Sequence, residues 1–487
     1  MMLLRSLLLP VLLAVLVASA AAVEIDARGS ASGDGRYHTE EHAVVIDSRI
    51  DFDVDIGPFS FGGAYRAYDY GESSYNPRGI LPVYDIWHRY VEGRSGDFTA
   101  RGGHYFSTFG RGLVLRSFEE ASLEHDTSLD GIITEYEPGK AAFAGLAGEA
   151  SERVSDVRTN THRVRGGRVQ TWLGSRVSIA ASGLDRSATL VDEEIELPDS
   201  LSRFSDYVVG AETEAWLGPV SIAGEFAYRD GDYYPKLKRG DRDGHGFYLT
   251  GTFNNDWSTL LAEYKNYYRF ENYLINPPTC VKDHIWILMN RATHQVDLDD
   301  ERGFLTEATL MPGMDLQLTG GASESRTRNG DLSHWEIFGQ WDNTVPLWGI
   351  AAVAGSWSRE YTHGKFTEYV TGVIDFEFEA GALEVLEIEL EAQSTEEPSA
   401  DKYESYYASM AVYPRPSVTV SASTEATTEK GLDRDFWLFG EVRASVTDDV
   451  EVALGGGSER GGKKCSGGIC FTEPEFVGVR LRFITYF

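Results

Sequence analysis

Nine carboxylates at alternate positions make the most pronounced chemical pattern in the sequence. Asp51, Asp53 and Asp55 alternate with Ile50, Phe52, Val54 and Ile56; Asp375, Glu377 and Glu379 alternate with Ile374, Phe376 and Phe378; Glu387, Glu389 and Glu391 alternate with Leu386, Ile388 and Leu390. In an extended chain every second side chain shares a face, so each stretch sets a ladder of acids behind a ladder of apolar groups. Acids this close together must be hydrated, paired with Arg or Lys, or bridged by cations. The pattern predicts a cation-attracting wall around a lumen; a solvated strand face without selectivity would carry the same pattern.

Opposite charge is concentrated elsewhere. Arg153, Arg158, Arg163, Arg165, Arg168 and Arg176 crowd one hairpin, which suggests a basic wall facing the acidic one. In Phe109 to Glu120, Gly110 and Gly112 loosen the chain, and Arg111 and Arg116 interrupt its apolar run. This stretch is expected to fold inward within 105–127 as a constriction lined by Arg111, Arg116, Glu119 and Glu120. A phosphate loop would need a Gly-Lys-Ser/Thr ending and a strand-to-helix context, and the stretch has neither. His284 and His294 lie ten residues apart with Cys280 close by, which is not helical metal-ligand spacing. No metal site is assigned to them. Instead 271–302 reads as a long extracellular loop packing over or into the barrel mouth on Ile285, Trp286, Ile287 and Leu288. Ser107 and His104 are an odd number of positions apart and point to opposite faces of a strand. No catalytic constellation and no cofactor are expected.

The elements that must position these groups are strands. From Ala43 onward, alternating segments are joined by turn sequences such as Asp55-Ile56-Gly57-Pro58, Glu137-Pro138-Gly139-Lys140, Leu217-Gly218-Pro219 and Asn254-Asn255-Asp256. Longer polar connections separate successive hairpins: 71–78, 185–202, 229–243, 271–302 and 429–433. Tyr65, Tyr68, Tyr70, Tyr233, Tyr234, Tyr264, Tyr267 and Tyr268 gather near the long connections, as amphipathic rings do at a membrane interface. The expected fold is all-β: a transmembrane antiparallel barrel of about 22–24 strands with short periplasmic turns and long extracellular loops. The number depends on whether 23–34 forms a weak first strand. The wall uses the whole chain, leaving no room for the globular plug domain that a TonB-dependent receptor carries ahead of its barrel.

Met1 to Arg5, the apolar run Ser6 to Val17 and the small residues around Ala20 to Ala22 read as a secretory signal peptide over 1–22, with the barrel occupying 23–487. No later run is long enough for a membrane helix. Hydrophobic residues make up 42% of the chain and the mean hydropathy is -0.28, as a barrel with only alternate residues facing lipid would give. The formal net charge of -32 argues against nucleic acid as a partner and for cations. In an exported chain, Cys465 and Cys470 around Ser-Gly-Gly-Ile are the expected loop disulfide, leaving Cys280 unpaired.

The last stretch, Glu475 to Phe487, places Val477, Val479, Leu481, Phe483, Thr485 and Phe487 on one face and Gly478, Arg480 and Arg482 on the other. It resembles the closing strand of bacterial outer-membrane barrels, whose terminal aromatic residue is read by the barrel assembly machinery. The resemblance assigns that signal to Phe483 and Phe487. Two further segments are Phe106 to Glu120, followed by Ser128-Leu129-Asp130-Gly131, and Asn276-Pro277-Pro278-Thr279, continuing through His284 to Leu288-Met289-Asn290-Arg291-Ala292-Thr293-His294. In order and wording they resemble a family of uncharacterised exported proteins of Bacteroidetes-like and related bacteria, expected to be outer-membrane barrels. The similarity runs from about Ile46 to Phe304 and more loosely to the end; this chain is short before Ala43. The resemblance implies a fold and a bacterial outer-membrane location among lipid, but no substrate and no oligomeric state. The expected function is porin-like passage or uptake of small solutes or cations. The alternatives are a closed barrel acting as a surface adhesin or assembly partner and, further off, a lipid-modifying enzyme.

Overall fold

The computed structural model describes residues 25–69, 83–120, 125–155, 158–189, 203–231, 243–345, 349–362, 365–379, 385–397, 402–467 and 469–487. The expected signal peptide lies outside them, as do Tyr70, Tyr233, Tyr234 and the side chains of Arg153, Arg158 and Glu379. Twenty-four strands form one antiparallel sheet in which each barrel strand pairs with the next. The first strand, Ile25–His38, also pairs with the last, Phe476–Tyr486, from Ser30↔Tyr486 to His38↔Gly478. The sheet is therefore closed, with no free edge left to recruit another chain. This agrees with the expected all-β barrel and fixes the number at the upper end of the range, because the Gly- and Ser-rich stretch from Ile25 is a wall strand.

Short turns collect at one end, where Gly57 and Gly218 adopt φ of 58° and 69°. Such left-handed residues match the twist of two-residue hairpins. Longer connections lie at the other end. Some strands reach further into these connections than the sequence suggests: Asp185 is paired with Arg165 and Tyr207 in the sheet.

Alternation sorts the wall into two surfaces. Ile132, Leu249, Ile337, Val353, Ile374, Leu390 and Leu481 are among a set of exposed apolar side chains drawn from all round the sheet. Residues of opposite parity, including Glu225, His334, Glu336, Glu391, Gln393 and Arg480, are buried. They are buried by chain packed within the barrel, so the apolar set is the outer surface.

Parity also corrects two expectations. Tyr65 and Tyr264 are exposed, but Tyr68 and Tyr267 are buried. Tyr267 donates to the Pro278 carbonyl at 2.7 Å. Exposed rings are not confined to the long-connection end either, since Phe59, Phe98, Tyr136, Phe143, Trp216 and Trp257 lie at or near the short turns. The barrel thus carries aromatic residues toward both rims.

Candidate functional site: the packed lumen

Two connections and one hairpin pack against the inward side chains. The first connection joins the paired strand residues Tyr105 and Leu129, and its described residues are 106–120 and 125–128. Its Gly110 and Gly112 have φ of 66° and 97°, and a Cβ would come within 2.5 Å of Glu225 at the former and 2.6 Å of the Asn276 carbonyl at the latter. Glycine is therefore required twice, for conformation and for close approach. Leu113, Val114 and Leu115 are fully buried.

The four residues expected to line a constriction engage different partners. The Arg111 backbone N–H donates to Glu225 at 2.5 Å, and its side chain reaches Glu214 at 3.3 Å. Arg116 donates to the Asn276 carbonyl at 3.2 Å. Glu119 pairs with Arg49 on the strand Ala43–Ile56. Glu120 faces His125 across a two-residue bridge. Arg111, Arg116 and Glu119 therefore bind this connection to the wall and to its neighbour.

The second connection, 269–299, covers most of 271–302, the stretch expected to pack over or into the barrel mouth as a long extracellular loop; residues 300–302 belong to the strand Asp300–Leu310. Most of the connection is buried against the wall: Phe270, Leu274, Ile275, Cys280, Val281, Trp286, Leu288, Met289, Ala292 and His294 have little exposure. Of the four expected anchors, Trp286 and Leu288 are buried, Ile285 is exposed and Ile287 borders on exposed. The physical reason is a five-residue helix, Ile287–Arg291, whose buried side is Leu288 and Met289. The Glu391 carboxylate accepts the amides of Ile287 and Leu288, both at 2.9 Å. These are donors that a helix start leaves without an internal partner. Glu391, expected as a lumen acid, thus anchors the start of this helix.

The other predicted acids divide by partner. Asp51 pairs with Arg49, Asp53 accepts from the Tyr90 hydroxyl, and Asp55 accepts from Ser60 at 2.5 Å with Arg28 at 3.5 Å. Asp375 lies opposite Glu389 and Glu377 opposite Glu387 across neighbouring strands. Glu387 accepts from Tyr413 at 2.9 Å. Among the described residues the charged neighbours of Asp375 are Glu377, Glu387 and Asp342, and those of Glu389 are Glu391 and Asp375. The basic wall is corrected: Arg163 and Arg165 are largely exposed on the outer face and pair with Glu149 and Asp185. Arg168 faces inward and is taken up by Glu212 at 2.5 Å.

Buried charge holds the second connection in place. Lys265 and Glu301, essentially inaccessible, form an ion pair, and Lys265 also donates to the Thr279 carbonyl at 2.5 Å. His284 bonds Glu336 at 2.8 Å, Lys282 bonds Glu307 at 2.6 Å, and Arg291 binds Glu425. His294 sits between Glu360 at 2.8 Å and Glu301 at 3.0 Å. Burial opposes a charge on its ring, but Glu301 and Glu360 outweigh burial and raise its pKa to about 9. His334 and Glu360, missed in the sequence, lie directly opposite one another on adjacent strands.

Cys280 is buried and free, its thiol pushed up to about 12 by burial. Cys465 and Cys470 are disulfide-bonded across the hairpin 462–473. The Cys465 backbone N–H donates to Asn290 at 2.9 Å. His104 and Ser107 do not act as a pair: the Ser107 N–H bonds the Ser117 hydroxyl, and His104 lies against His88, 5.3 Å between ring centres. Beside the second connection, at the end with longer connections, is a cavity of about 1610 Å³. Asp126, Glu152, Tyr273, His294, Glu360 and Lys463 help to line it.

The chain belongs to the family of unknown function DUF6029, which matches residues 21–309. No curated protein matches it. Among solved structures it is similar to the P pilus usher (PapC) translocation pore, with 10% identity, TM-score 0.43 and coverage of 95% of this chain and 99% of that one. It is also similar to the ferric enterobactin receptor (PfeA) of Pseudomonas aeruginosa in complex with enterobactin, at 10% identity and TM-score 0.48, covering 95% and 81%. The copper transporter OprC matches at 9% identity and TM-score 0.43, covering 95% and 80%.

Proposed function

We propose that this protein is an integral bacterial outer-membrane barrel that passes or takes up small, preferentially cationic solutes past its packed inner segments. The observation that carries the reading is the sorting of the wall: an apolar outer belt around a closed sheet, and an ionisable interior containing a cavity of about 1610 Å³. Each large apolar side chain gains about 1.5–3 kcal/mol on leaving water, so a continuous belt of them favours lipid. Rings toward both rims suit the two interfaces. On this reading residues 1–22 are a cleaved signal, Phe483 and Phe487 serve recognition by the assembly machinery, and the chain has no catalytic role. Asp375, Glu377, Glu387 and Glu389 are the acids best placed to attract cations. Arg111, Arg116, Glu119 and Glu120 shape the narrowing by securing the first connection.

The packed lumen favours a second reading, a closed barrel that presents its long connections as an adhesin or assembly partner. Single-channel recording in a planar bilayer under a salt gradient separates the two. Discrete openings with a cation-selective reversal potential support passage. Inserted, folded protein that stays silent, and remains silent when 271–298 is replaced by a short linker, refutes passage in favour of display.

A further inference from the structure

We propose that His294, His334 and Glu360 form a binding site for a divalent transition-metal cation of the zinc class, joining the inner segment to the barrel wall. The ligating atoms of the three lie within 4.8 Å of one another. His294 comes from the second connection, His334 from the strand Leu332–Val345 and Glu360 from the strand Gly349–Thr362. His334 is 1% exposed and its Nδ1 has no hydrogen-bond partner, although it lies 3.3 Å from the Glu360 carboxylate. His294 Nδ1 is 2.8 Å from the same carboxylate. Both Nδ1 atoms thus converge on one acid.

The opposite ring nitrogens are already occupied. His294 Nε2 bonds Glu301 at 3.0 Å, and His334 Nε2 bonds the Ser323 hydroxyl at 3.4 Å. Glu301 is itself held by Lys265. This is the outer-shell arrangement that orients imidazole ligands, in which the nitrogen away from the metal is tied to a carboxylate or other polar group. Two imidazoles and a carboxylate are a donor set suited to zinc or cobalt(II). His294 and Glu360 also line the cavity, which leaves room for a water as a further ligand. The imidazole rings are stacked at 4.8 Å and 11°. For both lone pairs to meet one ion the His334 ring, held at Nε2 by the 3.4 Å bond to Ser323, turns about its Cβ–Cγ bond while Glu301 keeps His294 in place, and the Nδ1 proton of His294 leaves to solvent as the metal binds.

The test uses the full-length protein refolded in detergent micelles and titrated with cobalt(II) alone, followed by its visible d–d absorption. Expected is one saturable equivalent, displaced by zinc, with affinity about 100-fold weaker in His334→Gln or Glu360→Gln and about tenfold weaker in Glu301→Gln. His42→Gln, an exposed histidine in the turn after the first strand, should bind as the parent does. Zinc should also slow proteolysis within 269–299 of the parent, and a chelator should reverse this. That readout tests the site even if a ligand variant fails to fold. Absence of a saturable equivalent in the folded parent overturns the proposal, as does binding unchanged in His334→Gln and Glu360→Gln.

Discussion

Two parts of the inner wall handle negative charge in opposite ways. Where the second connection packs, Glu301 has Lys265 and His294, Glu307 has Lys282, Glu336 has His284, and Glu425 has Arg291 and Arg460. On the neighbouring strands Lys365–Glu379 and Val385–Glu396, Asp375 and Glu389 face one another, as do Glu377 and Glu387. The paired acids hold chain inside the barrel. The facing acids hold none except through Glu391, so water, mobile cations or a shared proton must offset their mutual repulsion. Both sets of acids lie on the inward face of wall strands, but only the paired region has cationic groups brought to it by a connection.

The largest effect should come from breaking the most deeply buried pair. Lys265→Met leaves Glu301 inaccessible and opposite no lysine, and loss of one partner of a buried pair costs about 3–5 kcal/mol. Denaturant unfolding in lipid vesicles reads this directly. A loss below about 1 kcal/mol would mean that the pair does not hold the segment in place. Leu288→Ala removes a fully buried side chain from the helix that Glu391 anchors. A cost of about 2–5 kcal/mol is expected, seen first as protease cleavage within 269–299 while the wall stays intact. Simultaneous unfolding of wall and segment would show that the two are one cooperative unit.

The facing acids should behave differently. Asp375→Asn combined with Glu389→Gln removes like-charge repulsion and no ion pair, so stability should change by no more than about 0.5 kcal/mol. If the patch attracts cations, the reversal potential of the bilayer current should move toward the nonselective value. An unchanged reversal potential would reduce these acids to a hydrated strand face.

The wall was largely legible because alternation is local. Val479, Leu481 and Phe483 against Arg480 and Arg482 can be sorted by counting residues, and the exposed and ion-paired sets follow that count. The lumen was not. Glu271, Asn272, Asn276, Pro277 and Pro278 have the composition of an exposed loop. What draws the segment inward is wall residues far away in sequence, such as Glu336, 52 positions from His284, and Glu391, 104 positions from Ile287. Alternation gives the face of Glu391 but not its occupant. His334 and Glu360 become neighbours only through strand register, which a correct hairpin pairing of these two strands would have supplied.

Cys280 gives the smallest but cleanest test of the paired region. It was left over by the sequence pattern, and it lies in the buried cluster with Tyr248, Tyr267 and Leu274. Its thiol is 1% exposed and its pKa is raised by burial to about 12. The thiolate is the reactive form, so at pH 8 only about one molecule in 10⁴ would carry it even without the steric block. Folded protein should therefore resist a maleimide at pH 8, whereas denatured protein should react at once. Lys265→Met should restore labelling if the segment lifts away from the wall, and Asp375→Asn with Glu389→Gln should not. Rapid labelling of the folded parent would place Cys280 in contact with water and would mean that the segment is not packed in the lumen. Labelling in the lysine variant alone would show that the ion pair, and not the apolar cluster by itself, keeps the lumen closed around this residue.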